Sequence, residues 1–493
     1  MQSFLEGTSG TDIKEIKRRS VRGGVQVFAA QGVKLCLQIT SLAVLSRLLK
    51  PEDFGLIAMV TAITIFIGMF KDMGLAVATV QAPTIDQYQV STLYLINVSV
   101  SVLLTFITVA ASPLVAWFYG EPRLVAVTAC LALGFTVSGL SVQHFALLRR
   151  TMNFRKIAII EVASVLAGFV VGIGSATAGL GYWSLVTSQL VTLVVSTCGA
   201  WFAFPWKPTM PGSWRTVRSL VRFGGNLTAF ELVNYFNRNL DNLLIGKFWG
   251  AVELGFYARA YNILMLPLSQ INAPLGAVTV PALSAVASDP ARFRSYYLRA
   301  LSIVTLITAP LAALLAVQSE EIIRLVLGPE WSPSVTIFRY LALSILVQPI
   351  CNTSGWLYTA TGRSDLLLKW GGIGSVFIVL SFFVGLPFGS SGVALCYSVV
   401  MLLWTLPCMY VATRHTAITL GDVLNTVKMP LFSSFFAAVA AFVMQQTLCA
   451  GVATPLRLGV CSAVFLTVYL LCVFRSGGKE ICVCVMKELR PQE

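Results

Sequence analysis

Apolar runs of membrane-crossing length alternate with short polar turns along almost the whole chain. The runs cover roughly 23–47, 54–81, 88–118, 124–147, 157–178, 181–204, 223–248, 254–280, 296–318, 334–360, 366–388, 391–413, 427–449 and 455–474. Few show the alternation of a half-buried strand, and each is long enough to cross a hydrocarbon core of about 30 Å as a helix. Turn residues punctuate them, as at Gly120-Glu121-Pro122 and Gly179-Leu180-Gly181. The pattern predicts an all-α polytopic membrane protein of about fourteen transmembrane helices.

Composition agrees with that class. Of the 493 residues, 56% are hydrophobic and only 11% charged, where a soluble domain carries about 25% charged residues. The net charge of +14 in a soluble chain would suggest a nucleic-acid partner, but here none is expected, because the basic residues sit in short loops. With the N-terminus placed in the cytoplasm, cytoplasmic segments hold about 24 of the 35 Lys and Arg. That bias places both termini inside and the segment 320–332 outside. The eleven cysteines show no zinc or haem spacing and read as small apolar residues or free thiols. No metal site is expected. The polar N-terminal stretch is not followed by a signal-peptide cleavage pattern.

Shifting the chain by 200 positions overlays SRLLKPEDFGLIAM, from Ser46, on GKFWGAVELGFYAR, from Gly246. Gly55 falls on Gly255, Ala58 on Ala258, Arg47 on Lys247, Arg22 on Arg222 and Gly24 on Gly224. The offset spans six helices, an even number, so the halves share one orientation and form a parallel pseudo-two-fold repeat. The expected organisation is a cytoplasmic segment at 1–22, an N-lobe at 23–205, a cytoplasmic linker at 206–222, a C-lobe at 223–414, two extra helices at 427–475 and a cytoplasmic tail at 476–493. Each lobe then has six helices.

The stretch ELVNYFNRNLDN, from Glu231 to Asn242, breaks the apolar pattern. An ionised group at the bilayer centre costs at least about 2.5 kcal/mol, so water, a partner or a substrate must compensate. In the repeat register Gln31, Lys34, Gln38 and Ser41 overlay Glu231, Asn234, Arg238 and Asp241. Spacings of three and four put each set on one helix face, which suits a water-filled cleft between the lobes. Interhelical hydrogen bonds and internal salt bridges are the competing explanation. Glu161 and His144 lie near cytoplasmic helix ends, where a helix dipole for the one and solvation for the other suffice. Arg339 is free to pair with the acidic segment before it. Lys34, Lys71, Arg238, Lys247, Arg259 and Arg47 outnumber the acids in the first helix pair of each half. A cationic cleft suits an anionic substrate, and arginine pairs with phosphate in bidentate fashion. Arg47 and Lys247 lie near outer helix ends, where snorkelling to headgroups explains them equally well. The chain has no Walker A loop, dinucleotide glycine fingerprint or HExxH motif, so enzyme chemistry is not expected.

The segments NRNLDNLLIGKFWGAVELGFYARAYNI, from Asn237, VPALS, from Val280, and SRLLKPEDFGLIAM resemble the polysaccharide transporter family. These are Wzx-type flippases for lipopolysaccharide, O-antigen and colanic-acid-type polymers, within the multidrug/oligosaccharidyl-lipid/polysaccharide exporter superfamily. The resemblance implies two six-helix lobes around a central V-shaped cavity, plus two C-terminal helices. It implies alternating-access movement of an undecaprenyl-pyrophosphate-linked oligosaccharide across the bacterial inner membrane. It assigns substrate contacts to Arg238, Lys34 and Arg259, with Lys71, Lys247, Arg47, Asn234 and Asn242 as further candidates. Asp72, Glu231 and Asp241 become candidates for H⁺ or Na⁺ coupling. No cofactor is implied, a monomer is expected, and a polymerase and a chain-length regulator are the expected protein partners alongside membrane lipid. The alternatives are an ion-coupled small-molecule exporter of the same fold and a lipid II flippase.

Topology is directly testable. Single-cysteine variants in 320–332 should label from outside intact cells, and a cysteine at Arg150 should label only after the membrane is opened. Labelling of position 150 from outside reverses the orientation.

Overall fold

A computed structural model describes residues 13–72, 74–82, 84–212, 214–414, 416–447 and 453–475. Among the described residues every regular element is helical. This follows from solvent: in hydrocarbon each backbone N–H and C=O must be satisfied within its own segment. Among the described residues, eleven helical stretches are long and apolar enough to cross a membrane. Two of them, Arg238–Ala285 and Ser364–Thr413, are each long enough for two crossings, and the first helix of the chain brings the number to about fourteen. Large apolar side chains lie exposed along these helices, Trp117 and Phe202 among them, as a lipid-facing surface requires.

The chain divides into two compact units, Met1–Gly255 and Phe256–Glu493. The first holds α1 (Ile13–Leu48), α2 (Pro51–Asp72), α3 (Leu75–Gln81), α4 (Gln87–Tyr119), α5 (Leu124–Gly139), α6 (Val142–Arg150), α7 (Phe154–Thr177) and α8 (Trp183–Ala203). It also holds the start of α9 (Trp214–Ala285). Local chemistry sets the boundaries. Pro51 opens α2, with Glu52 and Asp53 in its first turn. Asp86 and Gln89 form a capping box at the start of α4. The linker after α8 is pinned to α4 by Gly212 N–H donating to Thr92 Oγ1 at 2.8 Å and Trp206 Nε1 donating to Gln87 Oε1 at 2.6 Å.

Two expected spans are broken. The run at 54–81 ends as a helix at Asp72, and Gly74, left-handed at φ 66°, starts the short α3. The run at 124–147 breaks at Leu140 and Ser141 into α5 and α6. Each break lies inside a run long enough to read as one crossing, although Lys71, Asp72 and Gly74 mark the first and Gln143-His144 follow the second.

α9 is interrupted at Gly250, whose φ of 81° and ψ of −175° only glycine adopts readily. Position 250 is the repeat mate of Lys50, which lies between α1 and α2. The two breaks bring the aligned glycines into reciprocal contact. A Cβ on Gly55 would overlap the carbonyl oxygen of Ala251, and a Cβ on Gly255 would overlap that of Pro51. Residue 55 meets 251 as 255 meets 51, which is the pairing a two-fold axis produces. Arg123, in the turn between α4 and α5, meets Glu52 and donates to Glu121 at 2.8 Å. That hydrogen bond holds the Glu121 carboxyl below its usual range.

The second unit holds the remainder of α9 with α10 (Pro290–Val317), α11 (Ser319–Val326), α12 (Pro333–Ala360), α13 (Ser364–Gly385), α14 (Gly389–Thr413), α15 (Leu420–Thr447) and α16 (Thr454–Arg475). Its core joins Leu283, Phe293, Tyr297, Leu301, Leu357 and Met409. The last two helices pack on α10 through Ala313, Ala437, Ala441, Phe465 and Tyr469. A bidentate pair, Arg294 Nη2 and Nε donating to the two Asp422 oxygens at 2.6 and 3.0 Å, ties α10 to the start of α15.

The glycine contact predicts a clean contrast. Gly55→Val or Gly255→Val should destabilise the protein by about 1–3 kcal/mol through overpacking. Gly174→Ala, where an added Cβ meets nothing within 4 Å, should be neutral or stabilising. Melting temperatures in detergent give the comparison, and an equal response at all three positions refutes the close approach.

Candidate functional site

The polar groups predicted within spans fall into separate places. Lys34, on α1, donates to Glu161 Oε2 on α7 at 2.9 Å. Both side chains are partly exposed, at 25% and 39%. Glu161 is therefore the counter-ion of a cation 127 residues away in sequence, in place of the helix-dipole partner expected from its position. The pair lines a cavity of about 160 Å³ together with Gln31, Arg149, Phe154 and Ile157. Arg238 is not among the residues lining this cavity.

Asp72 and Lys71 lie at the end of α2. Asp72 Oδ1 accepts from the N–H of Ala76 at 3.0 Å and so caps α3, while Lys71 Nζ donates to Ser138 Oγ at 2.9 Å. Lys247 donates to the carbonyl of Phe118, and its Nζ sits 5.0 Å from the centre of the Phe118 ring, a cation–π anchor. Arg47 is exposed. Arg259 is half-buried. Within the opening stretch, Arg238 is exposed and Asp241 is buried, accepting from the N–H of Asn242 at 2.8 Å. Asn242 Oδ1 is buried with no partner among the described residues. The side chains of Glu231 and Asn234 lie outside the described residues.

Sequence position misjudged three further groups. His144 is fully buried, not solvated. Its ring lies 4.3 Å from Trp201 and 5.4 Å from Trp206, and its Nε2 is 3.2 Å from the Trp206 carbonyl. Arg339 donates to Ser319 Oγ at 3.2 Å rather than to an acid. Glu321, in the segment read as an exposed acidic loop, has no exposed surface. It pairs with Arg457 on α16 and accepts from Gln445 Nε2 on α15 at 2.6 Å. The available signal was the i, i+4 spacing of Ile323 and Leu327, both buried, on a short helix not recognised in the loop.

No group of three or more His, Cys, Asp or Glu able to hold a metal occurs among the described residues. The described cysteines are free thiols, and Cys482 and Cys484 lie outside the described residues.

The family described as polysaccharide biosynthesis protein matches residues 44–336, more than half of the chain. The chain belongs to this family. The lipopolysaccharide biosynthesis protein WzxC of Escherichia coli K12 is 27% identical over 441 residues, covering 88% of each chain. The teichuronic acid biosynthesis protein TuaB of Bacillus subtilis is 27% identical over 412 residues, covering 82% of this chain and 85% of its own. Among solved structures, the lipid II flippase MurJ in an inward closed conformation superposes with a TM-score of 0.74 at 14% identity, covering 92% of this chain and 98% of MurJ. An inward-facing multidrug-resistance MATE transporter gives 0.63, also at 14% identity, covering 82% and 99%. These two likenesses establish the fold that the repeat predicted. As a member of the polysaccharide biosynthesis protein family, the chain is a membrane transporter and not an enzyme.

The buried Glu321 contact carries a stability prediction for α15 and α16. Arg457→Gln should cost about 3–5 kcal/mol, because it strands a buried carboxylate. The Glu321→Leu/Arg457→Leu pair should recover most of that loss. Thermal unfolding of the purified protein checks both, and a single variant as stable as wild type overturns the pairing.

Proposed function

We propose that the chain is a flippase that moves an undecaprenyl-pyrophosphate-linked oligosaccharide across the bacterial inner membrane for surface polysaccharide synthesis. The observation that supports it best is membership of the polysaccharide biosynthesis protein family, joined to an exposed cation, Arg238, within a helix long enough to cross the membrane. The acids are engaged locally: Asp72 caps α3, Glu161 pairs with Lys34, and Asp241 is buried. The guanidinium of Arg238 is exposed.

The reading includes alternating access between the repeats, coupling to H⁺ or Na⁺, and both termini in the cytoplasm. It also has the chain acting as a monomer, with a polymerase and a chain-length regulator receiving its cargo. Arg238 is the residue on which the substrate contact is placed. Its guanidinium offers the planar fork that a diphosphate or an acidic sugar takes in bidentate fashion.

Complementation of a deletion strain tests this. Arg238→Ala should abolish surface polysaccharide while membrane abundance stays normal. Arg238→Lys should restore export only in part, since it keeps the charge and loses the fork. Export at wild-type levels by Arg238→Ala removes this residue from the site, and normal polysaccharide in the deletion strain itself refutes the flippase reading.

A further inference from the structure

The cavity between α1, α6 and α7 has a role that Arg238 does not supply. Three charged side chains line it: Lys34, Arg149 and Glu161. Their formal sum is positive by one unit. The first turn of α7 also lines it through Phe154 and Ile157, and Asn153 makes no side-chain cap there. That turn is the positive end of a 24-residue helix, with the Lys156 and Ile157 N–H groups donating to the Asn153 carbonyl at 3.1 and 3.3 Å. The connector that sets this geometry is strained: Met152 holds φ at 54°, a left-handed conformation that a non-glycine residue adopts only when its surroundings impose it.

The neighbouring arginines divide their work. Arg150 Nη1 donates to the carbonyls of Thr79 and Ala82, at 3.0 and 2.6 Å, and so closes the C-terminal end of α3. Arg149 is exposed and turned to the cavity. Depth is graded as well. Arg149 precedes α7, whereas Glu161 lies seven residues into it, about 10 Å further along the helix. Val33 and Ile159, beside the cavity residues on α1 and α7, are exposed apolar side chains.

We propose that this cavity is a reception subsite for the diphosphate of a polyprenyl-linked cargo, and that Glu161 is its resident counter-ion. The proposal rests on the lipid-linked reading above and adds a second anion site to it. A partly exposed ion pair contributes only about 0–1 kcal/mol, so the Lys34–Glu161 bond is cheap to open. A diphosphate brings more negative charge than one carboxylate and can engage Lys34 and Arg149 together. It replaces Glu161 on Lys34, while the prenyl chain stays in lipid against the apolar faces of α1 and α7. Glu161 therefore sets a threshold: it keeps Lys34 oriented when the site is empty and rejects ligands with too little charge.

The test is binding by the purified full chain, with farnesyl diphosphate as the probe. Wild-type protein should bind it saturably, and inorganic pyrophosphate should compete weakly. Glu161→Gln should tighten binding by about two- to fivefold, the worth of the competing ion pair. Lys34→Gln and Arg149→Gln should each weaken it by about tenfold or more, as expected for a charged hydrogen bond to phosphate. If Lys34→Gln does not fold, Lys34→Arg keeps the pair and should retain binding, and Arg149→Gln carries the test. Unchanged or weaker binding by a Glu161→Gln protein of normal melting temperature overturns the counter-ion role. Competition by phosphatidylglycerol as strong as that by the probe overturns the diphosphate assignment in favour of bulk anionic lipid. Export in the deletion strain is scored apart from these affinities: normal surface polysaccharide there defeats the flippase reading and leaves the binding result standing.

Discussion

An unsatisfied polar group in hydrocarbon costs several kcal/mol, and most of what is distinctive in this chain answers that cost. The backbone answers it by being helical throughout the described residues. The side chains answer it by pairing across helices that are remote in sequence. Lys34 finds Glu161, Glu321 finds Arg457, and Lys247 finds a carbonyl and a ring face. Other groups cap a helix end, as Asp72 and Arg150 do. The broken helices supply these ends: had 54–81 run on unbroken, Asp72 would have had no N–H to accept from.

The same constraint explains what sequence could show. A crossing helix needs about 20 apolar residues, a signal too long to arise by chance, so nearly every span was legible. The repeat was legible because both copies keep a glycine where backbones touch. Gly55 and Gly255 have space for a hydrogen and nothing larger. That gives the offset of 200 a physical meaning: the paired glycines are conserved between the halves by one contact read twice.

Partners were not legible, and the reason is geometric. Helix periodicity relates a residue to neighbours three or four positions away. It says nothing about a carboxylate 127 or 136 positions distant, which is where Lys34 and Arg457 found theirs. Each misjudged group had been explained by its own helix. Glu161 was given a dipole, His144 a solvated end and Glu321 a loop. Each is held instead by a neighbouring element. A charge near a helix end looks solvated in a sequence because the sequence does not show what packs over that end. Aromatic residues gave a hint at His144: Trp201 and Trp206 bracket the end of α8, and indoles beside a membrane interface bury whatever lies beneath them.

The distribution of engaged and accessible charge then bears on how such a chain moves a large anion at all. A site that bound a diphosphate with every cation free would hold it too tightly to release. Graded engagement avoids this. At Lys34 a ligand must first displace a carboxylate, so part of its binding energy is spent on opening an existing pair. The return of Glu161 to Lys34 recovers that energy when the ligand leaves. Arg238, exposed on α9, offers a second charge on the proposed path. On the proposed reading, a change between inward- and outward-facing states then has only to weaken the second contact.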